Sequence, residues 1–355
     1  MVAGLSMFST ACERGLPKDT LLTSVTEVRQ LRLADAERGH PVRLRGIVTY
    51  YHAPSSSLVL QTGADGILVD ATQIQAPIAS GREIEVVGVT GIRESSAIVV
   101  GTAVKDLQTA QMPAPTRVSI ADLRSGAFSY RWVEAAGVVR SARVENDRRF
   151  TLTVATADGV FQARVNGSGP GPGDGFIDST VRLHGVAVTT FNMGGQPVRL
   201  QVFVPSPAAI VIEQAGPLDP FSVPIQSIGA VRRTAGHSRV EHRVHVQGMI
   251  VRRPDGTASV TDGSGSMPVR IEAMTPVLPD TEADVSGFVE RTDQDIVLDF
   301  AVVRSIEPRL PAHAERTPLA GQAAGARPPL GTIAEIRRLP PVEPAAPSRF
   351  ISVPS

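Results

Sequence analysis

The chain has 355 residues, enough for two or three domains, and its 35 basic residues are balanced by 35 acidic ones. The balance excludes a global attraction to nucleic acid or anionic lipid, and the single cysteine, Cys12, excludes an intrachain disulfide or a multi-cysteine metal site. Abundant valine, glycine and proline with only 4% aromatic residues favour an all-β protein built from small barrels.

Residues 1–20 are predicted to form a poorly structured leader. Cys12 follows Ser-Thr-Ala, a setting that weakly resembles a lipoprotein cleavage site, and an ordinary cysteine is the alternative. The start lacks a basic n-region and its apolar run is short, so no clear signal peptide is predicted. No apolar run in the sequence approaches the roughly 18 residues that a membrane-spanning helix needs.

A helix-start motif divides the chain into repeats. Ser24, followed three residues later by Glu27, is predicted to form a capping box, in which the serine accepts from the helix and the glutamate bonds back. The motif returns at Ser119 and Thr332, and a degraded copy that we interpret as lacking a capping side chain begins at Pro224. The interval is about 100 residues, longer than a solenoid repeat, so each unit is predicted to be a small domain.

Each repeat contains a strand with a glycine at its centre. Alternate residues leading to Gly46, Gly137 and Gly248 are apolar and are predicted to face the core, while the intervening residues face outward. By this parity His245 lies on the outward face of its strand. A hairpin with an Asp-Gly or Gly-x-Gly turn follows, at residues 58–69, 151–160 and 259–269.

A fourth strand again centres on a glycine, at Gly88, Gly185 or Gly287. A final strand closes each unit at residues 98–104, 198–204 and 296–303. Glycines midway along the first and fourth strands allow the sharp bends of a small barrel. We therefore predict an all-β fold with short capping helices, made of three tandem five-stranded barrels like the oligonucleotide/oligosaccharide-binding (OB) fold. An SH3-like barrel is the alternative.

Proline-rich stretches set the predicted boundaries between these units. OB-like barrels are predicted at residues 21–109, 116–214 and 221–307. Residues 308–331 are interpreted as a Pro/Ala/Gly linker, and residues 332–355 begin a fourth repeat that stops before its glycine. We therefore expect the chain to be a truncated part of a longer array, either a natural fragment or the product of a frameshift.

Three segments carry a resemblance to a known family: LTSVTEVRQL, HPVRLRGIVTYY and WVEAAGVVRS. They resemble the tandem OB-like N-terminal regions of large bacterial sensor histidine kinases of the acidobacterial type, over roughly residues 21–355. The resemblance implies an extracytoplasmic sensing region that precedes a membrane span and a kinase core in two-component signalling. The span, the phosphorylatable histidine region and the ATP-binding motifs are absent from this sequence, so no kinase activity is expected.

No set of residues predicts catalysis, a cofactor or a metal site. His237, His242 and His245 form the densest titratable cluster, but no acidic residue completes a convincing metal set. The glycine-rich loop at residues 167–175 lacks the Lys-Ser/Thr of a phosphate loop, and its prolines remove N–H donors. Asp293 and Asp295 are interpreted as solvated turn residues, and no nucleophile–base–acid set is present. The prediction is a non-catalytic protein.

The predicted ligand site lies on the first barrel. Arg45 and Arg93 supply donors, while Tyr50 and Tyr51 supply flat apolar surface with a polar tip. The partner is expected to be a small molecule or a protein. A single-stranded nucleic acid is the alternative, because OB folds stack bases on aromatic residues, but the second and third units do not repeat the basic face. Packing of the tyrosines against the helix or the next barrel is the structural alternative.

Overall fold

The computed structural model describes residue 17 and residues 19–94, 96–146, 148–167, 175–237, 242–252, 257–271, 281–292 and 295–306. All of them belong to the compact unit Met1–Pro308, and the second unit, Arg309–Ser355, lies outside the described residues. Cys12, Asp293 and most of the glycine-rich loop lie outside them too. The linker, the fourth repeat and the domain boundaries stay predictions.

The strands and short helices form three consecutive groups along the chain. The first contains α1 (Val25–Gln30), α2 (Leu33–Ala36), β1 (Pro41–His52), β2 (Ser57–Thr62), β3 (Asp65–Asp70), β4 (Arg82–Arg93) and β5 (Ser96–Thr109). The second contains β6 (Thr116–Arg117), α3 (Ile120–Ser125), β7 (Trp132–Asn146), β8 (Arg149–Thr156), β9 (Gly159–Asn166), β10 (Thr180–Phe191), β11 (Pro197–Val204) and β12 (Ile210–Gln214). The third contains α4 (Ile228–His237), β13 (Arg243–Arg252), β14 (Ala258–Asp262), β15 (Gly265–Ile271), β16 (Thr281–Arg291) and β17 (Ile296–Ser305).

Each group closes into an OB-like barrel, so the fold class predicted from the sequence is confirmed. Barrel 1 has the strand order β1-β2-β3-β5-β4, and β4 pairs back onto β1. Barrel 3 has the same order, β13-β14-β15-β17-β16. Barrel 2 has the equivalent order β7-β8-β9-β11-β10 and is closed by the β10–β7 pairing. The short strands β6 and β12 extend the barrel 2 sheet to seven strands.

Each barrel has its own apolar core, capped by a helix at one end. The helices contribute Val25 and Val28 to the first core, Ile120 and Leu123 to the second, and Ile228 and Val231 to the third. Burying these side chains stabilises helices that are too short to form alone in water. No helix in the described part of the chain is long and apolar enough to cross a membrane.

The capping boxes predicted at Ser24 and Ser119 are both present. The interpretation of the third repeat was wrong in its register. Helix α4 begins at Ile228, and Ser227 is its capping residue, because the Ser227 hydroxyl accepts from the Ala230 N–H at 3.3 Å. Ile225 is 56% exposed, whereas Ile228 is fully buried. In the degraded motif that begins at Pro224, Ile225 was predicted to correspond to Val25 and Ile120. In the structure that position belongs to Ile228, three residues later.

The glycines of the first strands stand where another strand approaches closely. A Cβ atom on Gly137 would lie within 3.0 Å of the carbonyl oxygen of Ala155 in β8. Gly46 and Gly248 have the same relation to the second strands of their barrels, through the carbonyl oxygens of Gln61 and Thr261. A larger residue at these positions would push the first two strands apart.

The glycines of the fourth strands have a related position. A Cβ atom on Gly88 would meet the Val100 carbonyl, and one on Gly185 would meet Val202 and Phe203. At Gly287 the nearest atoms, in Asp299 and Ala301, would be 3.2 Å away, which is tight but less severe. The β4–β5 register shifts next to Gly88, and the β16–β17 register shifts around Gly287.

Apolar and ionic contacts join neighbouring barrels. Tyr50 and Val59 of barrel 1 form a small buried cluster with Trp132 and Val186 of barrel 2. Between barrels 2 and 3, Asp178 accepts hydrogen bonds from the His242 ring at 2.9 Å and from the Arg243 N–H at 3.1 Å. The three barrels are therefore packed against one another as well as tethered in sequence.

The prediction that His245 faces solvent was wrong, since its side chain is buried. Its Nδ1 lies 2.9 Å from the Val223 carbonyl and its Nε2 lies 3.1 Å from Asp284, which also pairs with Arg304 at 2.8 Å. The extended segment before α4 covers the outer face of β13, so strand parity alone did not decide exposure. Among the described residues no group of three or more His, Cys, Asp or Glu side chains could hold a metal ion.

Candidate functional site

The candidate site begins with a gap along one edge of the first strand of each barrel. In barrel 3, β16 pairs with β13 from Arg243 to Ile250, along one edge. The other edge meets the segment before α4 at His245 and meets β14 from Met249 onward. Between these contacts, residues 246–248 are not paired with another strand at that edge among the described residues. We call this interval the edge gap.

The edge gap recurs in the other two barrels. In barrel 1 the segment before α1 bridges to Val42, and β2 pairs with β1 from Ile47 onward. In barrel 2, β6 pairs with β7 as far as Glu134, and β8 joins it from Val138 onward. The residues at the centre of the three gaps, just before the glycine, are Arg45, Ala136 and Gln247.

The backbone of these central residues faces the gap. In barrel 3 the His245 carbonyl accepts from the Gln226 N–H at 2.8 Å across the same edge. In barrel 2 the Glu134 carbonyl accepts from the Val118 N–H at 3.0 Å. Backbone groups two residues apart in a strand point to the same edge. The backbone N–H and C=O groups of Ala136 and Gln247 are therefore directed into their gaps.

Barrel 1 bridges its edge gap with the side chain of Thr62. The Thr62 hydroxyl donates to the Arg45 carbonyl at 2.7 Å. The Arg45 side chain lies toward the opposite edge of β1, where its guanidinium pairs with Glu83 of β4 at 2.8 Å and the Gln108 amide bonds the same carboxylate. The hydrogen bond to Glu83 raises the pKa of Arg45. The hydrogen bond from Thr62 to the Arg45 carbonyl bridges the gap of barrel 1, and we call this closed edge the sealed seam.

In barrel 2 the gap opens into a groove of about 440 Å³. Its floor is formed by Ala135 and Ala136, and its walls include Arg117 and Asp158. Thr156, which the strand register aligns with Thr62, donates to the Gly159 carbonyl at 3.1 Å within its own turn. The Thr156 hydroxyl therefore does not donate to the edge of β7.

In barrel 3 the gap opens into a groove of about 510 Å³. The residue aligned with Thr62 is Asp262, which accepts from the Ile228 N–H at 2.8 Å and the Ser264 N–H at 2.7 Å. Burial acts to raise the pKa of Asp262, but the hydrogen bonds from Ser264, Ile228 and Gly265 together hold it below its ordinary value. An ionised carboxylate has no proton to donate to a carbonyl, so Asp262 cannot close the gap as Thr62 does.

The barrel 3 groove presents polar groups that have no partner in the described structure. The side-chain amides of Gln226 and Gln247 and the carboxylate of Glu282 make no hydrogen bond to another described residue. Ile225 and Met249 are 56% and 45% exposed and supply apolar surface beside them. The groove can therefore donate and accept hydrogen bonds and carries negative charge at its rim.

The structure does not bring the four predicted ligand residues together. Arg45 lies in the sealed seam, opposite the start of β4, whereas Arg93 is the last residue of that strand. Arg93 pairs with Asp70 at 3.0 Å. Tyr51 packs against the barrel 1 core, and its carbonyl accepts from the Asn166 amide at 2.9 Å. Ligand binding by these residues stays a prediction.

Tyr50 is only 2% exposed and lies in the interface with barrel 2. Its hydroxyl donates to Asn166 at 2.9 Å and accepts from Arg149 at 2.8 Å, and its ring lies 5.3 Å from that of Phe203. Burial raises the pKa of Tyr50. This is the packing alternative, and it leaves no ring face available for a ligand.

His52 lies near the same interface. Burial, together with the charges of Arg149 and Arg164, lowers its pKa to about 4. The imidazole is therefore neutral near pH 7. Its Nδ1 lies 2.7 Å from the Ser55 hydroxyl, which orients the ring within its loop.

Sequence reasoning missed both grooves, because an edge gap is a property of strand pairing. One signal was available in the sequence once the repeats were aligned. Thr62, Thr156 and Asp262 occupy one position, and only the first uses its side chain to seal the strand edge.

Comparisons with known proteins add little to this geometry. No family model and no curated protein matches the chain. Solved structures that match include the hypothetical protein ygiW from E. coli, at 17% identity, over 26% of this chain and 94% of that chain, with a TM-score of 0.21. A murine DNA-binding protein bound with double-stranded DNA matches at 15% identity, over 49% and 96%, with a TM-score of 0.24. The tetrameric p202 HIN2 structure matches at 13%, over 49% and 91%, with a TM-score of 0.23.

These similarities are too low to support an argument about function. The fold and the edge grooves define a class, that of tandem OB-like barrel proteins with a groove beside the capping helix in barrels 2 and 3.

Proposed function

We propose that this chain is a non-catalytic binding module whose ligand sites are the grooves of barrels 2 and 3. One observation carries the proposal. The same edge gap is sealed by Thr62 in barrel 1 but opens into a groove in barrels 2 and 3. Grooves of several hundred cubic ångströms lined by apolar surface and a few polar groups are typical of ligand sites.

The charge distribution favours a small-molecule or protein ligand over a nucleic acid. OB folds that bind single-stranded nucleic acid need arginines that are free to contact phosphates along a positively charged groove. Here many arginines of the barrel surfaces are paired with carboxylates within 3.0 Å: Arg45 with Glu83, Arg93 with Asp70, Arg131 with Asp65, Arg164 with Glu145, Arg182 with Glu213 and Arg304 with Asp284. The aromatic ring of Tyr50 is buried as well.

The same proposal places the module in the extracytoplasmic sensing region of a protein like a sensor histidine kinase. The support is the resemblance of the three sequence phrases named above. In that setting, ligand binding to the barrels would be the input to two-component signalling. The location is tested by fusing a reporter enzyme behind the N-terminal segment of the natural protein and measuring whether the reporter is exported. Reporter activity confined to the cytoplasm would contradict it.

Blocking each groove tests the binding proposal. Ala136→Trp and Gln247→Trp place an indole in the grooves of barrels 2 and 3, and Gln73→Trp on an exposed loop is the matched control. Thermal-shift screening of amino acids, sugars and short peptides against the native chain should reveal ligands whose stabilisation is lost in one groove variant and kept in the control. Ligands that stabilise all three variants equally would refute the grooves as sites.

The nucleic-acid alternative has its own measurement. Fluorescence anisotropy with labelled single-stranded DNA is recorded at low and moderate salt. We expect no specific binding. Micromolar affinity that falls steeply as salt rises would replace the proposal with strand binding.

A further inference from the structure

We infer that the barrel 3 groove binds an extended peptide segment that carries a basic residue beside an apolar one. The inference rests on the proposed function, since it names the ligand class of one of the two grooves. Its starting point is the strand edge, where the backbone of Gln247 faces the gap between the segment before α4 and strand β14. A peptide backbone is the ligand whose alternating N–H and C=O groups match a strand edge.

The segment before α4 already shows this mode of binding. Its Gln226 N–H donates to the His245 carbonyl at 2.8 Å, and Ile225 forms a parallel bridge with His245. Two residues further along β13, at Gln247, the same edge has no paired strand and faces the groove. The three-residue gap leaves room for a short contact of the same kind, and the amides of Gln226 and Gln247 flank it.

Charge complementarity selects the peptide's side chain. Glu282 lies directly across from Met249 in the β13–β16 pairing and lines the groove, and its carboxylate has no ion-pair partner among the described residues. Asp262, on the opposite wall, is also negative. No basic residue lines the groove in the described part of the chain. A lysine or arginine of the ligand would meet the carboxylate of Glu282, which no basic residue of the groove opposes.

The apolar part of the groove favours a peptide over a sugar or a base. Ile225 and Met249 are its exposed apolar side chains, and none of its described lining residues is aromatic. Sugars and bases are commonly held on flat aromatic rings, whereas a flexible thioether adapts to aliphatic side chains of different shapes. An aliphatic neighbour of the basic residue would pack on Met249.

The test measures peptide binding to the full chain by fluorescence anisotropy. The probes are fluorescein-labelled, end-capped pentapeptides. They are Ala-Val-Lys-Val-Ala, the same sequence with Gln or Glu at the centre, and the lysine peptide with a methyl group on the backbone nitrogen of the lysine. The chain variants are Glu282→Gln and Gln247→Trp. The matched control is Arg117→Gln, which alters the barrel 2 groove.

We expect the lysine peptide to bind about five-fold more tightly than the glutamine peptide, a typical value for an exposed ion pair. Glu282→Gln should abolish that preference, Gln247→Trp should abolish binding, and Arg117→Gln should change neither. N-methylation should weaken binding, since it removes a backbone donor. Circular dichroism and melting temperature confirm that each variant is folded.

Two results would overturn the inference while leaving the proposed function in place. One is the absence of binding by any of the peptides at about 1 mM, while other compounds still bind in a Gln247-dependent way. The other is peptide binding that Gln247→Trp removes but that does not distinguish lysine from glutamine. Peptide binding that survives Gln247→Trp would refute both the inference and the barrel 3 groove as a site.

Discussion

Barrels 1 and 3 share the same strand pairing around the first strand but use its edge differently. In barrel 1 Thr62 donates to the Arg45 carbonyl and the gap is sealed. In barrel 3 the aligned residue, Asp262, holds the start of α4, and the gap is a groove. The difference teaches that the side chain at this position can serve either the strand edge, as in barrel 1, or the capping helix, as in barrel 3.

Barrel 1 is also covered on another side. Its Tyr50 is buried against barrel 2, with Trp132 and Phe203 as neighbours. The first barrel therefore packs its aromatic residue against a neighbouring barrel, whereas the third barrel presents an open groove. Five measurements test this contrast, from the largest expected effect to the smallest.

Replacing Tyr50 by alanine should lower the free energy of unfolding by about 4 kcal/mol, because the change empties a buried aromatic site between two barrels. Tyr50→Phe keeps the ring and should lose only about 1–2 kcal/mol, from the hydrogen bonds to Asn166 and Arg149. Adding Arg45→Ala to Tyr50→Ala should change little further, because Arg45 is exposed. Urea unfolding measures all three. Unchanged stability of Tyr50→Ala would show that barrel 1 is not a packing barrel.

Gly137→Val should lower the free energy of unfolding by about 3 kcal/mol, because its side chain would overlap the Ala155 carbonyl and the Val154 side chain. Gly175→Ala is the control, since a Cβ there meets nothing within 4 Å. Differential scanning calorimetry compares the melting temperatures. If Gly137→Val melts with the native chain, close approach of the first two strands is not what requires glycine at the gap.

Thr62→Val should cost about 1 kcal/mol, since it removes the hydrogen bond that seals the edge of barrel 1. Thr156→Val is the matched change in barrel 2 and should cost less, because the two bonds it removes, to the Gly159 carbonyl and from the Asp158 N–H, join residues of one turn and not two strands. Urea unfolding of the two variants gives the difference directly. Equal losses would mean that the seal contributes nothing particular to barrel 1.

The two grooves should respond separately to changes of charge, because Arg117 lines only the barrel 2 groove, beside Asp122 and Asp158, and Glu282 lines only the barrel 3 groove. Arg117→Gln should weaken an acidic ligand of barrel 2 by about five-fold, and Glu282→Gln should weaken a basic ligand of barrel 3 similarly. Isothermal titration with ligands from the thermal-shift screen measures both. Each variant is the control for the other, and a loss of both ligands in either variant would contradict separate sites.

The smallest effect concerns pH. Asp262 has a lowered pKa in the folded chain, so its ionised form stabilises barrel 3 above the ordinary aspartate pKa of about 4. That contribution is lost as the pH falls through the lowered folded value. Asp262→Asn should therefore be less stable than the native chain at pH 7, and the difference should shrink toward pH 2–3. Melting temperatures across this range provide the measurement, and a difference independent of pH would argue against an ionic role.

Much of the architecture followed from local sequence rules. The capping boxes at Ser24 and Ser119, the glycine-centred strands and the turn spacing each reflect short-range stereochemistry, so they were predictable. The start of α4 was misplaced because a Ser-x-x-Ala cap lacks the acidic residue that marks the other two.

Residue exposure was less predictable. Strand parity placed His245 on the outward face of its strand, and Tyr50 was predicted to offer its ring to a ligand. The segment before α4 covers the first and barrel 2 covers the second. Parity specifies which face of a strand a side chain occupies, whereas burial depends on what packs against that face.

By itself, then, the amino-acid sequence determined the repeat, the strand order within each unit and the positions that must be glycine, because these depend on backbone geometry and on contacts near in sequence. The tertiary structure decided which edge gap is sealed and which is a groove, and which tyrosine is buried. Those outcomes depend on hydrogen bonds between residues far apart in the chain, such as Thr62 to Arg45 and Asp262 to Ile228, and on the packing of one barrel against the next.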